Sequence, residues 1–492
     1  MSSRKQNSPP IKVLGKGSYG CVIEPAMPNK NMDGTERQFP GEVTKLFYDS
    51  NSYQKALENV GHLPLLGPNA VYPIEKYKRQ IHARNLTNHA RINCGFQLDN
   101  ENMLYGVHMP NLGLSVEGLI NDIKSVQKLR QLPYKTLFGQ ILKLMNQVSR
   151  LLKSGYVHGD IRESNVLIHP EHGTMSIIDF DWLMPWDDFK ETYPGSFYSG
   201  PPESVLMRKY AIFENSQNTV GKYYEVMRKS ISAWLAPYNI LLMKLSPPTA
   251  NIWGSTRKPG IILDTTYAHV QKYRASVNRR NAQGAQGAYD AYNAYDAYLK
   301  RLYNTFDSYG LALSIIILLD ILYPGAVSDL NHTNDNIRKV ARMYYRPGVA
   351  TDRERAEFII LLRKVNDILY GMFDIYSDRR LHIDDAIKEM NEAMTTDLSR
   401  SRSVSEEAAA LAATMPVEPR RRPRSQSNID ISPIPSAHSS RTSVLSNTSI
   451  SNSGTPTPYQ SLGGHRKNRN RYTIKKACLS RRKTHARRNN RV

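Results

Sequence analysis

The first hundred residues alternate between short apolar runs and turn residues. Ile11 and Val13 lead into a glycine-rich turn, and Val22 and Ile23 follow it, so the pattern predicts two strands joined by a loop. The run EVTKLF further along predicts another strand, and SYQKALENV after it predicts a helix. We therefore expect a small, β-rich unit at this end of the chain.

Two more β-rich runs, Asn165–Ile168 and Met175–Ile178, surround turn residues and predict a hairpin in the middle of the chain. The sequence GYVHGDIRES leads into the first run and places Asp160 just before it. Asp179 follows the second run directly. Polar side chains are therefore concentrated at the start and at the end of this hairpin.

The most apolar stretch, Gly310–Leu319, is interrupted by Asp320. It is shorter than the roughly 18 apolar residues that a membrane-spanning helix needs. We therefore expect a buried helix here and no membrane span.

Residues 208–300 form a basic region, with 13 Lys and Arg against 5 Asp and Glu, that ends in a tyrosine repeat. The tyrosines recur every third residue and fall along one helical face. A stripe with this spacing more often packs than stacks on a ligand, so we expect packing. The repeat consists of Tyr289, Tyr292, Tyr295 and Tyr298.

The other excess of positive charge lies at the C-terminus. Of the net charge of +22, residues 396–492 supply +14, from 19 Lys and Arg against 5 Asp and Glu. From Ser399 onward the sequence is rich in Ser, Arg, Pro, Asn and Thr without a sustained apolar period, which predicts a disordered tail. Such a tail either aids solubility or binds a polyanion such as nucleic acid.

Cys21, Cys94 and Cys478 are too few and too scattered to predict a disulfide framework or a zinc site. The start of the chain has no apolar core typical of a secretory signal. We therefore expect a reduced, intracellular protein of the cytoplasm or nucleus.

The glycine-rich turn has the composition of a phosphate-binding loop. Gly15, Gly17 and Gly20 lack Cβ atoms, which lets backbone N–H groups approach phosphate oxygens closely. No helix pattern follows, which disfavours the dinucleotide and Walker loops, and an ordinary hairpin stays open. Lys45 in EVTKLF can hold phosphates as a point charge and needs an anionic partner, for which Glu58 is the candidate.

Phosphoryl transfer requires a group that orients the attacking hydroxyl and oxygen ligands for Mg²⁺. Asp160 suits the first role, and Asn165 and Asp179 suit the second. Arg162, two residues after Asp160, can reach a transferring phosphate.

Together these residues resemble the signature of eukaryotic-type protein kinases. The catalytic loop of that family matches His158-Gly159-Asp160 with Asn165, and its Asp-Phe-Gly matches the sequence Asp-Phe-Asp that begins at Asp179. YGVHMPNLG at 105–113 resembles the hinge that holds adenine, and GSFYSGPPE resembles the end of the activation segment.

Two later segments extend the resemblance over residues 11–392. FDSYGLAL resembles the start of the family's central buried helix, in which Asp307 would brace the catalytic loop. SDRRLHIDDA resembles the final helix region, where Arg380 would pair with Glu203.

The resemblance implies an α+β, two-lobed protein-kinase-like fold and a reaction. Its parts are an extension at 1–10, a β-rich N-lobe at 11–106, a helical C-lobe at 107–395 with the insertion at 208–300, and the disordered tail at 396–492. The implied function is a serine/threonine protein kinase that uses ATP and Mg²⁺ on a protein substrate. The implied site comprises catalytic Asp160 and Arg162, metal ligands Asn165 and Asp179, and nucleotide-binding Gly15, Lys16, Gly17, Ser18, Tyr19, Gly20, Val22, Lys45 and Glu58.

Two departures keep alternatives open. Gly159 replaces the arginine that reads an activation-segment phosphate in many kinases, so we expect activity that does not depend on phosphates at Ser196, Tyr198 or Ser199. Asp181 replaces the family's glycine, and the resulting pattern also resembles the aminoglycoside and choline phosphotransferases. A catalytically weak scaffold and a nucleic-acid-binding protein are further alternatives.

Kinases of large DNA viruses have similar catalytic loops and basic tails. This likeness extends the expected location to a viral host cell or a virion.

Overall fold

A computed structural model of the chain divides into two compact units, Met1–Val417 and Glu418–Val492, and the second lies wholly outside the described residues. The described residues of the first unit are 11–16, 20–27, 29–30, 36–37, 41–60, 74–82, 86, 88–95, 103–193, 199–207, 228–229, 245, 264–265, 268, 286–326, 334–375, 379–395 and 402–413.

The elements are numbered here in chain order. The strands are β1 Lys12–Lys16, β2 Gly20–Glu24, β3 Asn29–Lys30, β4 Glu36–Arg37, β5 Glu42–Phe47, β6 Ile74–His82, β7 Met103–Pro110, β8 Leu114–Ser115, β9 Tyr156–Val157, β10 Val166–Ile168, β11 Met175–Ile177 and β12 Met184–Pro185. The helices are α1 Ser50–Val60, α2 Asn88–Cys94, α3 Val116–Leu119, α4 Ile123–Gln131, α5 Tyr134–Lys153, α6 Trp186–Thr192, α7 Gln286–Leu322, α8 Asn334–Tyr344, α9 Asp352–Met372, α10 Ile383–Thr395 and α11 Arg402–Ala413.

The N-terminal part is an antiparallel sheet in the order β1-β2-β5-β7-β6. The predicted glycine-rich hairpin is confirmed, since β1 pairs with β2. Gly20 is required for the packing of β2 on β5, because a Cβ atom there would lie 1.9 Å from the carbonyl oxygen of Leu46. Successive side chains of β5 face opposite sides of the sheet, so Leu46 joins the cluster around α2 and Phe47 packs on Tyr53 of α1.

A disulfide joins Cys21 on β2 to Cys94 at the end of α2. Our expectation that the cysteines stay reduced is wrong for this pair. The two residues are 73 positions apart, and only the packing of α2 beneath the sheet brings their buried side chains together.

The remainder is mostly helical, with α5, α7 and α9 around a large apolar core. The predicted hairpin is present as β10 and β11, which pair antiparallel, and β8 pairs with β10. The predicted buried helix at Gly310–Leu319 is the C-terminal half of α7. The segment Tyr295–Leu322 is long and apolar enough to cross a membrane, but 94% of its most apolar 18-residue window is buried inside the protein. It is therefore consistent with a core helix.

The tyrosine repeat forms the N-terminal half of α7, and its described side chains pack as predicted. The hydroxyl of Tyr298 donates to the carbonyl oxygen of Glu203, and that of Tyr295 donates to the carbonyl oxygen of Met207. The side chains of Tyr289 and Tyr292 lie outside the described residues, as does most of 208–285.

The α+β class is confirmed in outline: an N-terminal antiparallel sheet precedes a mostly helical remainder, an arrangement compatible with two lobes. The structure differs from the predicted boundaries at two positions. The lobe boundary at 106 falls inside β7, which continues to Pro110 because it pairs with β5 along that length. The tail boundary at 396 also moves.

Residues 402–413 form α11 rather than the start of a disordered tail. The run SEEAAALAA consists largely of strong helix formers, a signal that the average composition of the tail concealed. Val404 and Leu411 are buried, and the buried Glu407 pairs with Arg338 of α8 and Arg363 of α9. The residues after 413 lie outside the described part of the chain.

Candidate active site

The loop between β9 and β10 carries His158, Gly159 and Asp160, and α7 holds its backbone in place. The carboxylate of Asp307 on α7 accepts the N–H groups of His158 and Gly159 at 2.7 and 3.0 Å. Burial raises the pKa of Asp307 to about 6, although both hydrogen bonds oppose the shift. Asp307 therefore braces this loop, as the family resemblance implies.

Gly159 is required by its backbone and by its surroundings. Its φ angle is +77°, and a Cβ atom there would lie 2.5 Å from the ring of Phe189 on α6. Phe189 is fully buried, and its ring centroid lies 5.0 Å from those of Tyr193 and Phe306. The space that a side chain at 159 would need is thus filled by an aromatic cluster.

Asn165 orients the carboxylate of Asp160. Its Nδ2 donates to the backbone carbonyl of Asp160 at 2.9 Å and to Oδ2 of the same residue at 3.0 Å. The other carboxylate oxygen of Asp160, Oδ1, has no hydrogen-bond partner among the described residues and lies 3.4 Å from Nε of Arg162. Burial raises the pKa of Asp160 to about 7, with Arg162 opposing the shift. Of the two carboxylate oxygens of Asp160, Oδ1 is therefore buried beside Arg162, and Oδ2 is held by Asn165.

His158 links the loop that carries Asp160 to Ile178, the residue that precedes Asp179. Its Nε2 lies 3.1 Å from the carbonyl oxygen of Ile178, and its ring packs on Phe180 with centroids 4.9 Å apart. Burial lowers the pKa of His158 to about 4, so the ring is neutral at pH 7 and donates through Nε2–H. The loop and the segment that begins at Asp179 are therefore held together.

Lys45 of the N-terminal sheet reaches the segment that follows β11. Its Nζ lies 2.8 Å from Oδ1 of Asp179 and 3.5 Å from Oδ2 of Asp181. Burial alone would lower the pKa of Lys45, but the two carboxylates outweigh it and raise that pKa. Burial likewise acts to raise the pKa of Asp179, yet the charge of Lys45 brings it below its ordinary value. Burial raises the pKa of Asp181.

The predicted partnership between Lys45 and Glu58 is absent from the contacts of the described residues. Glu58 is exposed on α1, whereas Lys55 of the same helix lies over the ring of Trp182 at 5.7 Å. The helix therefore presents a cation to the segment around Asp181. We correct the prediction accordingly: the carboxylates that contact Lys45 are Asp179 and Asp181.

The glycine-rich loop is described only in part. Val22 pairs in register with Lys45, which places it on the same part of the sheet. The ammonium of Lys16 lies against Gly95, and a Cβ atom at Gly15 would meet nothing within 4 Å. The remaining predicted loop residues, Gly17, Ser18 and Tyr19, lie outside the described residues.

The residues Asn165 and Asp179 fit the ligand set that Mg²⁺ uses. Asn165 directs its amide nitrogen to Asp160, which leaves Oδ1 as an acceptor with Ser164 Oγ at 3.4 Å. No group of three His, Cys, Asp or Glu side chains with metal-ligand geometry occurs in the part of the chain that the structure describes. Mg²⁺ does not require such a group, because one or two protein oxygens usually hold it together with substrate phosphates and water.

Sequence reasoning missed two residues of this site, Asp181 and Phe189. In the sequence, Asp181 is notable only because it replaces the glycine of the protein-kinase pattern. Its position two residues after Asp179 was the one available sign of its contact with Lys45. The role of Phe189 depends on a contact with Gly159 across 30 positions of sequence, for which the sequence offers no local sign.

No model of a known protein family matches the chain, and no curated protein matches it.

Proposed function

We propose that the protein is a serine/threonine protein kinase that transfers the γ-phosphate of ATP to a protein hydroxyl group. The observation that carries this proposal is the 2.8 Å contact between Lys45 of the N-terminal sheet and Asp179 after β11. It lies next to a braced loop in which Asn165 orients Asp160. A phosphate-binding cation, an oxygen ligand for Mg²⁺ and an acceptor for the hydroxyl proton are the parts that phosphoryl transfer needs.

Each side chain has a defined task in this proposal. Oδ1 of Asp160 accepts the hydrogen bond of the attacking hydroxyl, while Asn165 holds the carboxylate by donating to Oδ2. Lys45 binds phosphate oxygens, and Arg162 supplies positive charge beside Asp160. Bound Mg²⁺ neutralises phosphate charge, and Oδ1 of Asn165 and the carboxylate of Asp179 are the groups that would hold it.

A protein acceptor is supported by the segment that follows α6. Arg380 donates through Nη1 and Nη2 to the two carboxylate oxygens of Glu203 at 2.6 and 3.2 Å, as the family resemblance implies. Both side chains are buried, so this ion pair anchors the turn Pro202–Leu206 to the segment that precedes α10. In protein kinases this region belongs to the half that docks the peptide, and Ser196 in the preceding segment favours Ser or Thr as the acceptor.

A small-molecule kinase is the second candidate. Gly159 and Asp181 favour it, because both depart from the protein-kinase pattern towards that of the aminoglycoside and choline phosphotransferases. Incubation with γ-labelled ATP and Mg²⁺ separates the candidates when a generic protein, an aminoglycoside, choline or no acceptor is supplied. Label on the protein supports the proposal, and label confined to a small molecule supports the second candidate.

Two variants test the assigned roles. Asp160→Asn should lower kcat by about 100-fold to 10,000-fold with nearly unchanged ATP affinity, because it removes the acceptor for the hydroxyl proton. Asp179→Asn should weaken Mg²⁺-dependent binding of ATP itself. Glu171→Gln alters an exposed carboxylate on the surface and is the matched control. Equal turnover of wild type and Asp160→Asn on every acceptor would refute the catalytic assignment.

A further inference from the structure

The ammonium of Lys45 contacts two carboxylates that lie two residues apart in the chain. Asp179 adopts a left-handed backbone conformation, with φ at 67°, and Asp181 lies in the 3₁₀ turn Phe180–Trp182 that follows. The side chain of Asp181 is only 12% exposed. Among the ion pairs of the described residues, Lys45 is its cationic partner, as burial of a carboxylate requires.

The two carboxylates cannot attract the Lys45 ammonium equally when a metal ion binds. A carboxylate that ligates Mg²⁺ shares its charge with the metal, so Asp179 then attracts Lys45 less strongly. The helix α1 offers no substitute in the described contacts, because Glu58 is exposed and Lys55 is the residue that contacts the turn at Trp182. Asp181 is the carboxylate that remains beside Lys45.

We propose that Asp181 is a positioning residue that holds the Lys45 ammonium in place for the phosphates of ATP while Asp179 binds the metal ion. The inference rests on the proposed function, since it assigns Lys45 to ATP. It departs from the sequence prediction, in which Glu58 on α1 is the candidate anionic partner of Lys45. The aspartate that replaces the family's glycine thus has a specific task.

The first test measures binding of a non-hydrolysable ATP analogue with Mg²⁺, together with the KM for ATP and kcat. Asp181→Asn should weaken analogue binding and raise KM by about tenfold, the size expected for a hydrogen bond between charged groups, with a smaller change in kcat. Asp181→Glu should recover part of the loss. In a Lys45→Met background, Asp181→Asn should cause little further loss of affinity.

The control for the turn is Asp187→Asn, which alters a carboxylate that is 84% exposed on α6. Glu58→Gln compares the two candidate partners directly and should weaken binding less than Asp181→Asn. A loss of affinity with Glu58→Gln that equals or exceeds the loss with Asp181→Asn would overturn the inference.

The second test omits nucleotide and compares the thermal unfolding midpoints of the single and double variants. Lys45→Met leaves Asp181 buried without its cation, so Asp181→Asn should raise the midpoint in that background but not in the wild type. Purely additive changes would overturn the pairing. If the wild type binds no ATP, the proposed function fails. The nucleotide-free comparison then still decides whether Lys45 and Asp181 form a pair.

Discussion

We expect Phe189→Ala to disturb the aromatic cluster beside the loop that carries Asp160. The ring is fully buried and packs on Gly159, Tyr193 and Phe306. Truncation of a buried phenylalanine to alanine typically costs about 3–5 kcal/mol, through lost transfer free energy and the cavity that remains. Because α6 has only seven residues and no side-chain cap at its start, much of this cost should appear as local loosening of α6.

The expected functional result is a large fall in kcat with nearly unchanged affinity for ATP. The reason is that the ring of Phe189 holds α6 against the loop that carries Asp160, whereas Lys45 and Asp179 are held by other contacts. Phe189→Leu keeps an apolar side chain at the site and should retain more turnover.

Three measurements on wild type, Phe189→Ala and Phe189→Leu test this prediction. Urea unfolding gives the change in stability, steady-state turnover on a small peptide gives the change in activity, and hydrogen exchange over residues 186–193 gives the local loosening. Wild-type turnover and wild-type exchange in Phe189→Ala would refute the reasoning.

The same cluster explains why activity should not depend on a phosphate in the activation segment. The ring of Phe189 occupies the space beside Gly159, where the protein kinases that the sequence resembles carry an arginine that pairs with the phosphate. Ser199 is itself only 4% exposed, which leaves little room for a phosphate on its hydroxyl. Phosphatase-treated enzyme should keep most of its turnover, and a tenfold loss restored by rephosphorylation would contradict this account.

Two further predictions concern buried charge. Glu203→Gln leaves the fully buried Arg380 guanidinium without its counter-charge and should lower the free energy of unfolding by about 3–5 kcal/mol in urea titrations; a change below 1 kcal/mol would show that the charge is compensated elsewhere. Glu407→Gln should cost less, about 1–3 kcal/mol, because Arg338 and Arg363 are each about one-fifth exposed. An unchanged thermal midpoint of Glu407→Gln would mean that α11 is held by its apolar contacts alone.

The sequence anticipated those parts of the site that depend on short spacings. Asp160 and Asn165 are five residues apart, and their hydrogen bond follows from the tight turn between them. The hairpin of β10 and β11 places Asp179 beside that turn. The apolar neighbours of Lys45 in the run EVTKLF predict the strand on which it lies, β5. The pair of Arg380 and Glu203 was anticipated from the family resemblance rather than from any local pattern.

The parts that escaped prediction depend on how distant elements pack. The partner of Lys45 depends on which face α1 turns towards Trp182, and a helical pattern alone does not specify that orientation. The bond between Cys21 and Cys94 requires α2 to pack beneath the sheet. Glycine is required at 159 because Phe189 of α6 packs against it. A local sequence pattern does not predict a contact between two separate elements.

The long helix α7 also fixes the distance between two of its contacts with other parts of the chain. One continuous helix carries Tyr295, which contacts the chain after the activation segment, and Asp307, which contacts the catalytic loop. At a rise of about 1.5 Å per residue these two anchor points are about 18 Å apart along the axis, a spacing that residue number alone sets. Inserting one residue between them would turn one anchor by about 100° relative to the other, so the length of this stretch is constrained even where its side chains are not.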